Sequence, residues 1–259
     1  MSSLMRLMLG FAIAVCLSSA AAAETPPVVA AASDLRFAME EIATQFQRES
    51  GRAVKLSFGS SGNYYRQIQQ GAPFELFMSA DESYVLRLAD AGKTQDSGVL
   101  YAVGRIVLFA PRGASWQVDA PMEGLRAALA ANRIQRFAIA NPEHAPYGRA
   151  AEQALRKAGL WTAIQPHLVL GENVSQAAQF AGSGSTAGGI FAYSLALAPN
   201  LAGRGSYVLI PETLHEPLRQ RMALVKGAGS TARALYAYLQ QPAARAILKR
   251  YGFALPGER

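Results

Sequence analysis

Cysteine is nearly missing from this chain: Cys16 is the only one among 259 residues. That excludes a disulfide framework and a cysteine-rich zinc site. Histidine is almost as scarce, and three residues leave little room for a metal centre built on histidine. Charged residues make up 17% of the chain against 51% apolar ones, a balance that suits a packed core and not a disordered chain. Beyond the N-terminal segment no stretch reaches the ~18 unbroken apolar residues of a membrane-spanning helix. The G-x-x-x-x-G-K-[ST] phosphate loop and the G-x-S-x-G nucleophile elbow are both absent. Gly182-Ser183-Gly184-Ser185-Thr186-Ala187 has the letters of a dinucleotide motif. It follows a helical pattern rather than a strand, so it reads as a loop.

What is present begins with a signal. Arg6, the apolar run Leu7 to Leu17 and Ala21-Ala22-Ala23 match the charged, apolar and cleavage regions of a secretory peptide. The competing reading is a retained N-terminal anchor. Val15 before Cys16 is not the small residue that lipid attachment requires. Cleavage after Ala23 would remove Arg6 and Cys16, leaving a cysteine-free chain with a formal charge of +6. That suits an oxidising compartment. The positive charge favours an anionic partner: nucleic acid, an anionic surface or a small anion. The basic residues are scattered rather than massed, which argues against nucleic acid.

From residue 28 onward, short apolar runs alternate with amphipathic stretches. Strands are expected at Val28–Ala32, Val54–Phe58, Leu76–Ser79, Ile106–Ala110, Phe137–Ala140, Leu168–Leu170, Gly189–Ala192, Tyr207–Ile210 and Met222–Val225. Phe37, Met39, Ile42, Ala43 and Phe46 form one helical stripe, Ala151, Ala154, Leu155 and Ala158 another. Residues 231–251 read as two helices divided at Pro242. The pattern predicts an α/β fold of mainly parallel sheet.

Four strand-to-helix turns look alike: Ser33-Asp34, Ser60-Ser61-Gly62-Asn63, Asn141 to Gly148, and Glu172-Asn173-Val174. Ligands in open α/β sheets bind beyond the carboxyl ends of the strands, where helix N-termini offer free N–H groups. Converging, the four turns would make a cage of neutral donors for a desolvated oxyanion. Taken singly, Ser, Asp and Asn at such places are helix caps worth ~1 kcal/mol each. Asp81 reads as an N-cap, and His144 and His215 as surface residues.

These turns carry a resemblance. Ala31–Asp34, Phe58-Gly59-Ser60-Ser61-Gly62, Gly71-Ala72-Pro73-Phe74-Glu75-Leu76-Phe77-Met78-Ser79-Ala80-Asp81, Asn141-Pro142-Glu143-His144-Ala145-Pro146-Tyr147-Gly148, Glu172-Asn173-Val174 and Lys249-Arg250-Tyr251-Gly252-Phe253 occur in one order. In that order the chain resembles the periplasmic molybdate-binding proteins of ABC importers.

The resemblance implies a two-lobed periplasmic binding protein of the type II kind, with hinge strands between the lobes and no catalysis. Residues 1–23 would be the signal, 24–105 the first part of lobe 1 and 106–206 lobe 2. Residues 207–259 would return through the hinge to complete lobe 1. The implied ligand is molybdate or tungstate, with no cofactor and no protein-ligated metal cation. The implied partner is the importer's permease, and the implied state is a monomer. The implied ligand-binding residues are Ser33, Asp34, Ser60, Ser61, Tyr147 and Val174, with Tyr193 as an alternative to Tyr147.

Asp34 departs from the family pattern, which places Ser or Asn there. A carboxylate facing a dianion is repelled by ~4 kcal/mol at 4 Å with an effective dielectric of 20. Three readings follow: Asp34 caps its own helix, Ser33 takes over the hydroxyl contact, or the ligand is a protonated oxyanion, another donor-rich molecule or a cation. A serine hydrolase using Ser61, His144 and Asp34 is the remote alternative.

Overall fold

A computed structural model describes residues 25–257. The signal segment Met1–Ala23 lies outside the described residues. Ten strands follow in chain order: β1 Val28–Ala32, β2 Lys55–Gly59, β3 Phe74–Ser79, β4 Val99–Gly104, β5 Ile106–Pro111, β6 Phe137–Ala140, β7 Leu168–Gly171, β8 Gly189–Ala192, β9 Gly205–Leu209 and β10 Leu218–Leu224. The helices are α1 Arg36–Ser50, α2 Ser61–Gln69, α3 Glu82–Asp90, α4 Glu123–Ala130, α5 Pro146–Lys157, α6 Trp161–Ile164, α7 Val174–Gly182, α8 Tyr193–Ala196, α9 Ser230–Tyr238 and α10 Pro242–Arg250. Among the described residues no helix is long and apolar enough to cross a membrane.

The strands form two five-stranded sheets, ordered β2-β1-β3-β10-β4 and β7-β6-β8-β5-β9. Both are mixed rather than mainly parallel. β1 runs parallel to β2 and β3, while β10 is antiparallel to β3 and β4. In the second sheet β6 is parallel to β7 and β8, while β5 is antiparallel to β8 and β9. The parallel pairs are those joined by crossover helices. The antiparallel ones involve strands next to the crossings between sheets. Strand identity is local, but pairing direction is set by which sheet the chain is leaving.

The chain passes to the second sheet through Arg105, between β4 and β5, and comes back between β9 and β10. Tyr207, assigned from sequence to the returning segment, pairs with Phe109 in the second sheet. The return therefore begins after Ile210, whose N–H still donates to the Ile106 carbonyl at 3.0 Å. A strand's sequence does not name its partner. β4 was not expected at all, although Val99-Leu100-Tyr101-Ala102-Val103 is apolar throughout.

Small residues in β1 allow burial on both faces: Val29, Ala30 and Ala31 are fully enclosed. One face packs on Met39, Ile42 and Phe46 of α1, the expected helical stripe. The other packs near Tyr64, Phe77 and Val85. Register then places the site. Ala32 pairs with Gly59 across β1 and β2, and Ala31 with Met78 across β1 and β3. Three strands thus end at one edge. Ala140 pairs with Gly171 likewise in the second sheet. Ala32 and Ala80 from the first edge pack in one cluster with Ala145 and Tyr147 from the second, so the two edges face each other.

Candidate functional site

Each turn is built by local chemistry. Ser60 is extended (φ −82°, ψ 143°) and caps α2, its Oγ accepting from the N–H of Asn63 at 3.4 Å. Asn173 caps α7, its Oδ1 accepting from Gln176 N–H at 3.1 Å. Pro146 opens α5, where a missing N–H is harmless. Ser33–Leu35 makes a single 3-10 turn ahead of α1. Asp81 caps α3 through a 2.8 Å bond from Ser83 N–H, as expected.

Ser33, Asp34, Ser60, Ser61, Tyr147 and Val174 border one cavity, and all six are buried. Within it the centre of a water-sized sphere has about 10 Å³ in which to move, about the minimum for one water. The backbone N–H groups of Ser61, Tyr147 and Val174, each in the first turn of a different helix, meet no acceptor among the described residues. Ser61 Oγ accepts from Ala80 N–H at 2.9 Å, which orders the hydroxyl while leaving its proton free. Tyr193 does not border the cavity. Its ring lies under Arg105, 4.9 Å from the guanidinium carbon, and beside Tyr207.

Bonds across the cleft hold the two edges together. Tyr147 donates its hydroxyl to Asp34 Oδ2 at 2.8 Å. Ser194 donates to the Asp34 carbonyl and Ser175 to the Ser33 carbonyl, both at 2.8 Å. The Gly62 N–H donates to the carbonyl of His144 at 3.0 Å. A Cβ on Gly62 would stand 2.6 Å from that oxygen, so only glycine permits the approach. The arrangement is a closed cleft.

The comparisons with known proteins follow the same outline. Residues 27–254 match the model of the family described as bacterial extracellular solute-binding protein. The chain belongs to the bacterial extracellular solute-binding proteins. The molybdate-binding protein ModA of Azotobacter vinelandii is 38% identical over 256 residues, covering 98% of each chain. ModA of Escherichia coli K12 is 35% identical over 249 residues, covering 95% of each. The solved structure of an A. vinelandii periplasmic molybdate-binding protein superposes with a TM-score of 0.80 at 33% identity. It covers 89% of this chain and 99% of its own. These relatives are binding proteins rather than enzymes.

In this solute-binding protein Asp34 is not a helix cap. Neither the 3-10 turn nor α1 receives a side-chain cap bond. The carboxyl instead turns to tertiary partners: Oδ2 accepts from Tyr147 and, at 2.7 Å, from the side-chain amide of Gln220. Oδ1 has no partner. Burial pushes the carboxyl up to about 6, although the bonds from Gln220 and then Tyr147, and the nearby backbone N–H groups of Asp34 and Leu35, pull the other way. Burial and the Asp34 charge hold the hydroxyls of Tyr147 and Tyr101 well above the usual tyrosine range. Ser33 Oγ accepts from Ser175 N–H at 3.3 Å, and its own proton meets no acceptor among the described residues.

Sequence reasoning missed Gln220. It is fully buried in β10, bonds Asp34 and Tyr147 through Nε2, and accepts from the Tyr101 hydroxyl at 2.7 Å. The signal was there: Leu218, Gln220 and Met222 are the inward positions of a period-two strand, with Arg219 and Arg221 between them. His144 and His215 are buried, not superficial. His144 Nδ1 lies 2.9 Å from Ser60 Oγ, and His215 Nδ1 bonds the Glu216 carbonyl. A turn-rich sequence marks a loop but not what packs over it. The hydrolase arrangement does not form, since His144 meets Ser60 rather than Ser61, and Asp34 meets Tyr147 and Gln220.

Proposed function

We propose that the chain captures molybdate or tungstate between its two sheets and hands it to the permease of an ABC importer. The observation that carries this reading is the convergence of unpaired first-turn N–H groups from α2, α5 and α7 on one enclosed cavity beside Ser33, Ser60 and Ser61. Such groups suit a compact oxyanion, which accepts at every oxygen and needs no countercharged side chain in contact. The relatives' identity as molybdate-binding proteins supports the same ligand.

On this reading the two sheets are the cores of two lobes and the crossings at Arg105 and after Ile210 are the hinge. The small cavity belongs to the closed form, and a tetrahedral oxyanion is admitted as the lobes part and re-close around it. The N-terminal segment directs the chain to the periplasm. There it acts as a monomer, with the permease rather than nucleic acid as its macromolecular partner. Discrimination against sulfate rests on cavity size, because tetrahedral oxyanions present similar acceptors.

Thermal melting with molybdate, tungstate, sulfate and phosphate tests the reading. A ligand at 1,000 times its dissociation constant stabilises by ~4.1 kcal/mol. A rise in melting temperature with molybdate and tungstate and none with sulfate is expected. No rise with either metal oxyanion would sink the proposal.

A further inference from the structure

Asp34 places an acid inside a cage of donors. The residue is 1% exposed. Its Oδ2 is fully engaged by Tyr147 and Gln220, while Oδ1 is enclosed and unpartnered. No cation pairs with it among the described residues. From α5 it meets the Tyr147 hydroxyl, and Arg149 on that helix is paired with Asp81. From β4 comes Tyr101. From β10 comes uncharged Gln220, whose neighbours Arg219 and Arg221 both pair with Glu82. α7 carries no titratable residue, and Tyr193 of α8 faces Arg105. On β2 the charged group is Lys55, opposite Val28 at the far end of β1. On its own helix Arg36 stacks 4.8 Å from the centre of the Phe58 ring and pairs with Glu40.

Two unscreened negative groups in one enclosure repel strongly. A proton on Oδ1 reverses that, because it turns an orphan acceptor bordering the cavity into a donor, as the amide of an asparagine is. We propose that capture of a dianionic oxyanion takes up one proton from solvent, held between Asp34 Oδ1 and a ligand oxygen. This rests on the oxyanion reading above. One carboxylate, one solvent proton and one dianion give a neutral acid hydrogen-bonded to the bound dianion, and no other bond forms or breaks. In the closed cleft burial holds the unliganded carboxyl at about 6, so protonation there near neutrality takes little work. The residue therefore makes capture strongest in mildly acidic surroundings.

Titration calorimetry of the purified chain with sodium molybdate, and separately sodium tungstate, tests this at about pH 6.5, 7.5 and 8.5. Each pH uses two buffers of different ionisation heat. With the unliganded carboxyl of the closed cleft at about 6, the association constant should fall roughly 80-fold between pH 6.5 and 8.5, with about one proton taken up per ligand at the upper end. Asp34→Asn should flatten the dependence to within about threefold. The proton count on the unaltered chain needs no variant to fold. Tight binding that is flat with pH, or binding without proton uptake, overturns the proposal and leaves the oxyanion reading intact. A variant that keeps the full slope also overturns it, since the proton then belongs to another group such as His144. Absence of binding at every pH in both proteins overturns the oxyanion reading, and this inference with it.

Discussion

Two turns at the same edge of the first sheet obey different rules. At Ser60-Ser61 the capping residue keeps its local role while touching the other side: Ser60 caps α2 and also meets His144 Nδ1, and the Ser61 N–H is left for the cavity. At Ser33-Asp34 the strong capping residue declines its helix and reaches to Tyr147 from the other sheet and Gln220 from the strand two places away. Both turns touch across the cleft, but the first keeps its local cap while the second gives its cap up for tertiary partners. Helix preference and burial compete for a single carboxyl, and at Asp34 the burial site dictates the partners.

The difference is sharpest in stability against pH. The carboxyl of Asp34 stands at about 6, raised from 3.8 by burial. A raised carboxyl favours folding while protonated, so its contribution is fully present below the unfolded value near 4 and is lost as the pH rises through 6. The shift corresponds to up to about 3 kcal/mol. Asp34→Asn should thus gain up to about 3 kcal/mol on the parent at pH 7.5, and the gap should close towards pH 4. Denaturant melts of both proteins at the two pH values check this. A gap that does not change with pH would return Asp34 to the class of ordinary caps.

Gln220→Ala breaks the tertiary turn from its other side. It strips the ionised carboxyl of one bond and leaves the Tyr101 hydroxyl only the Ser79 carbonyl at 3.4 Å, at a cost of about 2–3 kcal/mol at pH 7.5. The loss should be smaller in the Asp34→Asn background, since the charge that made the bond strong is gone. A double-mutant cycle in urea reads the coupling, and simple additivity would separate the two residues.

The smallest effect belongs to the local type of turn. Asn173→Ala removes one cap from α7 and should cost about 1 kcal/mol, independent of pH between 6 and 8. A pH-dependent loss there would erase the contrast between local and tertiary turns.

Much of this was legible beforehand. The expected strands at Phe137–Ala140 and Gly189–Ala192 match β6 and β8 residue for residue, because β-branched and small apolar runs bounded by turn residues have few alternatives. The split at Pro242 falls where α10 begins, because proline lacks the N–H that a continuing helix needs. All six expected site residues border one cavity, and their role toward a ligand is the proposal made above. The glycine at 104 illustrates the opposite case. A Cβ there would lie 2.2 Å from the Tyr147 hydroxyl, a constraint invisible without the other sheet.

The sequence by itself determined the strand and helix series apart from β4, the caps at Ser60, Asp81 and Asn173, and the set of turns able to offer N–H groups. These depend on residues within a few positions of one another, where propensity and hydrogen-bond geometry act directly. Only the tertiary structure decided that both sheets are mixed, that Tyr207 stays with the second, that His144 is buried against Ser60, and that Asp34 is held by Tyr147 and Gln220. Those outcomes depend on groups more than 80 positions apart in the chain. There burial, not local preference, sets what a polar atom must bond.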